Sequence, residues 1–506
     1  MKKLKFGQVK TAAVISYFAL GFNIVLSFLY TPWMVDKIGQ ANYGLYTLAI
    51  SVISIFMLDF GLGTAVSRFI AKYRAENNKQ AINDVVSAVC KLYLIIDIII
   101  VVVLSIIFFF LDVIYVKLSP EEMEKFRILY LMVAFFNVIS FPFSPLDGIL
   151  NAYEKLIQLK LCSLFNKTFT VVLVVITLFF TTDVTAVVAA NIIIGLITIV
   201  LRYLIVRKST ELKIDLRFKD KNTYKTLFNF TVWTMLISIM QRFTHSFAPS
   251  VLAITSGSLE IAVYSPAVVI EGYYYTFSTA IKGLFLPRIS RFIAEKKENE
   301  ILNLAIKLGR YQIVTLGLIF VGFICIGKEF MVLWMGPEYE KTYICTLILI
   351  LPTLISATQQ IPSTTVIAKN LVRYQAICMT VTGTLGLGIS YVLSLYIGSI
   401  GVCLGTAISA MINIAYMSTV YKKHAEINMY EFYKKVYLMA IPTYTVSVVV
   451  SYLLIKLVHI SGWYGLVLKG SVVSVVYLLI TFLFYCNKAE KGKLFGFAKS
   501  RIIKGS

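Results

Sequence analysis

About fourteen apolar stretches, most of them twenty residues or longer, recur along this chain with short charged segments between them. They lie near 11–35, 41–66, 84–111, 127–150, 156–180, 184–206, 228–253, 260–285, 303–327, 342–367, 372–396, 399–420, 434–457 and 464–486. A helix rises about 1.5 Å per residue, so roughly twenty such residues cross the hydrocarbon of a bilayer. A water-soluble fold would have to bury all of these stretches, and only 15% of the 506 residues are charged. A soluble domain carries about a quarter. Outer-membrane strands would be about ten residues of alternating polarity, a pattern the chain lacks. The fold class that follows is all-α: a polytopic membrane protein of about 14 transmembrane helices.

The formal net charge is +22. In a soluble chain this would suggest nucleic acid. Here the basic residues punctuate apolar spans and form no separate domain, so no nucleic-acid partner is expected. Lys and Arg crowd alternate loops: Lys2 to Lys10, Arg68 to Lys79, Arg207 to Lys225, Arg288 to Lys297, and the tail from Lys488 to Lys504. The intervening loops carry far fewer. Basic loops stay on the cytoplasmic side and meet anionic membrane lipids, so both termini are expected there. Thr11 to Val35 is too long for the apolar core of a cleaved leader and reads as the first membrane helix. The seven cysteines are scattered and the histidines are only His245, His424 and His459. No disulfide framework or metal site is indicated, and no pattern asks for a cofactor. No P-loop occurs, so ATP is not expected to power the chain directly.

The halves are similar to each other. Ser67-Arg68-Phe69-Ile70-Ala71 follows the second span and Ser290-Arg291-Phe292-Ile293-Ala294 follows the eighth, 223 residues later. Pro32 and Pro249 are 217 apart, as are Pro145 and Pro362. The markers keep their order, which implies a duplicated six-helix unit with a small insertion. The expected organisation is an N-terminal lobe over 1–206, a linker over 207–225, a C-terminal lobe over 226–420, two appended helices over 421–487 and a basic tail over 488–506. Parallel six-helix repeats are a known transporter plan. Prolines inside spans are hinges or ordinary kinks. Gly401 and Gly405 form a G-x-x-x-G expected to be a tight packing face.

Tyr43-Gly44-Leu45-Tyr46 followed by Asp59-Phe60-Gly61-Leu62-Gly63, then Gly148-Ile149-Leu150-Asn151-Ala152-Tyr153-Glu154-Lys155, and Leu333-Trp334-Met335-Gly336-Pro337-Glu338-Tyr339 mark a family likeness. Together they resemble the polysaccharide transporter family, the Wzx-type flippases of the multidrug/oligosaccharidyl-lipid/polysaccharide exporter superfamily. The likeness runs over nearly the whole chain. It implies two six-helix lobes in a V around a cavity, in the bacterial cytoplasmic membrane. It also implies a polyprenyl-pyrophosphate-linked oligosaccharide moved to the outer leaflet, with H+ or Na+ and other polysaccharide-assembly membrane proteins as further partners. Ion-coupled drug or cation antiporters and peptidoglycan-precursor flippases share the fold and stay open as alternatives. A membrane-embedded polymerase or glycosyltransferase would need an acid/base constellation on a sizeable outer loop. None is present, so the chain is read as a carrier and not an enzyme.

Such a carrier must keep a charged head group away from hydrocarbon, so ionisable residues deep in spans are the first candidates. For substrate these are Gln241, Arg242, His245 and Lys282, with Tyr274, between Tyr273 and Tyr275, as a stacking surface. Arg242 and Glu271 lie at similar depth on consecutive spans, so Arg242 either binds an anion or pairs with Glu271. Glu271 and Asp97 are the ion-coupling candidates. Asp59 and Asp147 are expected to pair with Arg68 or an inner-loop cation, and Arg202 to snorkel toward the inner surface.

Overall fold

A computed structural model describes residues 6–56, 61–212, 214–215, 217–279, 285–487 and 491. Among these all regular structure is helical. The first half contains α1 (Phe6–Ile38), α2 (Gln40–Ser54), α3 (Leu62–Ala75), α4 (Lys79–Phe109), α5 (Leu111–Ile114), α6 (Pro120–Ser140), α7 (Pro145–Ala152), α8 (Leu156–Phe180) and α9 (Val184–Ser209). The second contains α10 (Lys221–Ser246), α11 (Ala248–Thr255), α12 (Ser258–Thr279), α13 (Leu286–Ala294), α14 (Glu298–Met335), α15 (Glu340–Thr358), α16 (Gln360–Ala368) and α17 (Val372–Lys423). Three more follow: α18 (Met429–Tyr437), α19 (Ala440–Ile455) and α20 (Gly462–Ile480).

Among the described residues nine helical stretches are long and apolar enough to cross a bilayer. Bulky apolar side chains such as Ile98, Phe109 and Phe180 stand exposed along them. A band of that kind needs lipid, since a soluble surface does not carry it. The polypeptide is a multi-pass membrane protein. Helix starts are marked by local chemistry. Ser119 and Glu122 form a reciprocal capping box with Pro120 in the first turn of α6, which satisfies two otherwise orphan N–H groups. Asn78 caps α4 by accepting from the Ala81 N–H, and Asp183 caps α9 by accepting from the Thr185 N–H.

Several of the long spans expected from hydropathy are interrupted. Between α6 and α7 lies a 3-10 turn, Phe141–Phe143, holding Pro142. The missing proline N–H and the ring's steric demand end the α-helical ladder there. The second half breaks at the same place, between α15 and α16. The one 52-residue helix, α17, is a hairpin: Ile397 and Gly398 leave helical geometry, and Gly398 has φ 57°. A β-carbon on Gly401 would stand 2.4 Å from the Leu393 carbonyl carbon, and one on Gly405 would stand 2.3 Å from Ser390 Oγ. The two glycines are the face on which the hairpin closes, as the G-x-x-x-G spacing suggests.

The duplication is written in the backbone. Gly39 and Gly257 are left-handed 218 residues apart, Asn77 and Lys296 at 219, and Glu154 and Asn370 at 216. Each member of a pair ends the corresponding helix of its half. By this register Ala75, the last residue of α3, matches Ala294, the last residue of α13. Ser67–Ala71 therefore sits one helical turn earlier in α3 than Ser290–Ala294 does in α13. Between Gly39/Gly257 and Asn77/Lys296 the backbone register moves by a single residue, so the six-residue step between the two sequence registers comes from the displaced motif and not from an inserted segment.

The chain forms two compact units. The first holds residues 1–265 and 375–406. In it, α11 and the start of α12 pack against α2 and α6. Ser258 donates to Glu122, and Ser54 Oγ lies 2.9 Å from Ser246 Oγ. At the tip of the α17 hairpin, the Ser399 backbone N–H donates to Glu260 at 2.8 Å.

The second unit holds residues 266–374 and 407–506. Its axis is α14, against which α15, α16, α18, α19 and α20 pack. Three tyrosine hydroxyls donate to carbonyls within one turn of α14. Tyr444 reaches Ile313 at 2.6 Å, Tyr477 reaches Val314 at 2.9 Å and Tyr274 reaches Leu316 at 3.1 Å. Gly317 leaves the space they enter, because a β-carbon there would stand 2.1 Å from the Tyr444 hydroxyl. Lys469 of α20 holds Glu329 of α14 through both carboxylate oxygens, at 2.8 and 3.0 Å.

Candidate functional site: a polar cavity in the first unit

Between α3, α6, α7, α8 and α9 lies a cavity of about 930 Å³. Small residues make the frame. A β-carbon on Gly148 of α7 would stand 2.5 Å from the Gly63 carbonyl oxygen of α3, so these two helices meet backbone to backbone. A β-carbon on Gly195 of α9 would stand 2.5 Å from the Phe136 ring, which takes that space. The proline break after α6 resets the helix direction, so that Ser140, Ser144 and Asp147 all line the cavity. Thr64, Ser67, Asn151, Asn166 and Thr198 add hydroxyls and amides.

Three charges sit in the wall: Arg68 on α3, Asp147 on α7 and Arg202 on α9. Arg202 Nη1 lies 3.0 Å from Asp147 Oδ1 and 3.2 Å from Oδ2. The neighbouring Nε is buried and has no hydrogen-bond partner among the described residues. Asn166 Nδ2 donates to Thr198 Oγ1 at 3.0 Å, which itself donates to the Ile194 carbonyl at 2.8 Å. The lining thus offers two cations against one carboxylate, and a dense set of donors and acceptors for a hydrated ligand. The lining residues of α6 and α8 lie in the half of each helix next to the Lys/Arg-rich loops.

The residues singled out from sequence fall elsewhere. Arg242 is exposed on α10, in the first unit, whereas Glu271 belongs to the second. Glu271 Oε1 accepts from Thr353 Oγ1 at 2.7 Å. Gln241 and His245 sit on α10, but their side chains lie outside the described residues, as do Lys282 and Asp59 altogether. Tyr274 is buried with its hydroxyl on the Leu316 carbonyl, so its ring is engaged in helix packing and offers no open stacking face. Asp97 is 9% exposed on α4, and its Oδ1 makes no hydrogen bond among the described residues. Lys91 donates to the Phe218 carbonyl at 3.1 Å. Arg202, expected to snorkel, stands in the cavity wall against Asp147.

From sequence these charges were assigned structural roles, Asp147 pairing with Arg68 or an inner-loop cation and Arg202 snorkelling, because each stands near the inner end of its own span. Only the packing of α3, α7 and α9 brings them together. Lys469 and Glu329 were likewise invisible as a pair.

A family model described as polysaccharide biosynthesis protein matches residues 10–287. No curated protein matches the sequence. Among solved structures, the lipid II flippase MurJ in an inward closed conformation is similar, with a TM-score of 0.71 at 16% identity, covering 94% of this chain and 98% of that one. An inward-facing multidrug resistance MATE family transporter of the MOP superfamily gives 0.63 at 17% identity, covering 82% and 99%. A eukaryotic MATE transporter, AtDTX14, gives 0.58 at 12% identity, covering 86% and 97%. At these identities the likeness carries the fold and nothing finer.

Proposed function

Because this chain belongs to the polysaccharide biosynthesis protein family, we propose that it is a flippase moving a polyprenyl-pyrophosphate-linked oligosaccharide from the cytoplasmic to the outer leaflet. The observation that carries this reading is the polar cavity of about 930 Å³ enclosed by helices whose outer faces are apolar. A sugar head group loses its hydration on entering hydrocarbon at great cost. A chamber walled by hydroxyls, amides and two guanidinium groups replaces those lost water contacts. The lipid tail needs no such replacement and stays outside. Lobes over residues 1–206 and 226–420 alternate the access of the chamber between the two sides, with both termini in the cytoplasm. No chemical step is required of the protein.

Deleting the gene in the native host tests this reading. A lipid-linked oligosaccharide trapped on the cytoplasmic leaflet supports it, and unchanged surface glycans sink it.

A second reading has its own support. Asp97, buried with an unpartnered oxygen, is the kind of carboxyl that ion-coupled antiporters use. Raised sensitivity to cationic dyes in the same deletion strain, with glycans intact, would select that reading. A stalled cell wall with surface glycans intact would select a peptidoglycan-precursor flippase.

A further inference from the structure

We propose that the cavity is an anion-exchange site, in which Asp147 holds the Arg202 guanidinium until a phosphate or carboxylate of the cargo takes its place. The inference rests on the reading of the cavity as the cargo's chamber.

Four observations carry it. Asp147 uses only Nη1 of Arg202, at 3.0 and 3.2 Å, although a guanidinium offers five N–H donors in a fork. The adjacent Nε is buried and has no hydrogen-bond partner among the described residues. A buried donor left unmade is an expense that a better acceptor would remove. The tetrahedral oxygens of a phosphate, or the paired oxygens of a sugar carboxylate, can engage Nε and an Nη together, which a single nitrogen contact does not. Third, the partners are unequally accessible: the Asp147 side chain is 47% exposed and that of Arg202 25%. The carboxylate is the one that can swing into the cavity while the guanidinium stays in the wall. Fourth, Arg68 supplies a second positive charge in the same wall.

Asp147 on this account is an internal stand-in for the cargo. It keeps Arg202 from standing as an uncompensated charge between trips, and an incoming anion has to compete with it. The arrangement ties selectivity to exchange. A neutral glycolipid cannot displace a carboxylate, while an anionic one can, and it leaves when Asp147 returns.

The test is anion binding by the full-length protein reconstituted in nanodiscs, with pyrophosphate and glucuronate as probes, for wild type, Asp147→Asn and Arg202→Gln. Removing the competing carboxylate is expected to tighten binding of at least one probe about tenfold, and Arg202→Gln to abolish it. Tightening for pyrophosphate assigns the site to the lipid linkage, and tightening for glucuronate assigns it to an acidic sugar. Equal affinity of wild type and Asp147→Asn for both probes overturns the exchange, as does undiminished binding by Arg202→Gln. Should Asp147→Asn not fold, Arg202→Lys decides: it keeps the charge without the fork and is expected to bind at least fivefold more weakly than wild type, while unchanged binding overturns the proposal. The assay involves no transport. Exchange intact in a strain whose deletion traps no glycolipid would overturn the flippase reading and leave the site standing.

Discussion

A β-carbon on Gly44 would stand 2.1 Å from the backbone carbonyl oxygen of Ser258. The two residues belong to different copies of the repeat, yet both lie in the first compact unit, where α2 meets the start of α12. The side chain of Ser258 is also fixed, by its hydrogen bond to Glu122. The contact is a backbone-to-backbone seam between the duplicated halves, on the side opposite the basic loops.

Gly44→Ala is therefore expected to prise the seam open. Overpacking of this kind costs roughly 1–3 kcal/mol, a shift of a few degrees in thermal midpoint for a chain of this size. Thermal unfolding of the purified protein measures it. An unchanged midpoint would mean that the seam is loose enough to accommodate a methyl group.

The Lys469–Glu329 pair docks α20 on α14, and Lys469 is only 13% exposed. Removing one partner strands the other. Lys469→Met alone is expected to cost roughly 1–3 kcal/mol, because Glu329, half-buried with its side chain 32% exposed, then loses its counter-charge. The double change Lys469→Met with Glu329→Leu should recover most of that loss. A double-mutant cycle reads the coupling directly. Additive losses would show that the two charges do not need one another.

Asp97 presents the opposite case, a buried carboxyl whose Oδ1 makes no hydrogen bond among the described residues. Asp97→Leu fills the same space with apolar atoms and removes a buried polar group, which favours the folded state by roughly 1–3 kcal/mol. A raised thermal midpoint with lost ion-dependent transport marks a residue retained for coupling. A lowered midpoint would show that the carboxyl is bonded through groups on its other oxygen and serves the fold.

The span ends were largely legible in the sequence. The stretch expected at 156–180 is α8 itself, and the gap between 396 and 399 is the bend of the α17 hairpin. These ends are set by residues next to one another in the chain: a capping carboxylate at Asp183, or a glycine at 398 that accepts φ 57°. The Gly401/Gly405 face was legible for the same reason. The site was not. Pairing of Asp147 with a cation was expected from the sequence, but only helix packing shows that Arg202 is that cation and that Arg68 shares the wall. The match of Ser67–Ala71 with Ser290–Ala294 misled by one turn, because identical letters on a helix need not occupy identical positions. Tyr274 misled through chemistry. A tyrosine can stack on a sugar or donate to a carbonyl, and only the notch at Gly317 shows that the hydroxyls here converge on α14.

The paired left-handed junctions carry one more consequence, for handling the molecule. Asn77, Glu154, Lys296 and Asn370 hold φ between 52° and 60°, a region where a side chain is a burden and glycine is at ease. Each sits just past a helix end, far from the other three along the chain, so their effects should sum. Replacing all four with glycine is expected to raise the thermal midpoint in detergent by several degrees, each change contributing roughly 0.5–1 kcal/mol. The old duplication thus doubles as a blueprint for toughening: a remedy that works at one junction has a twin waiting in the other half.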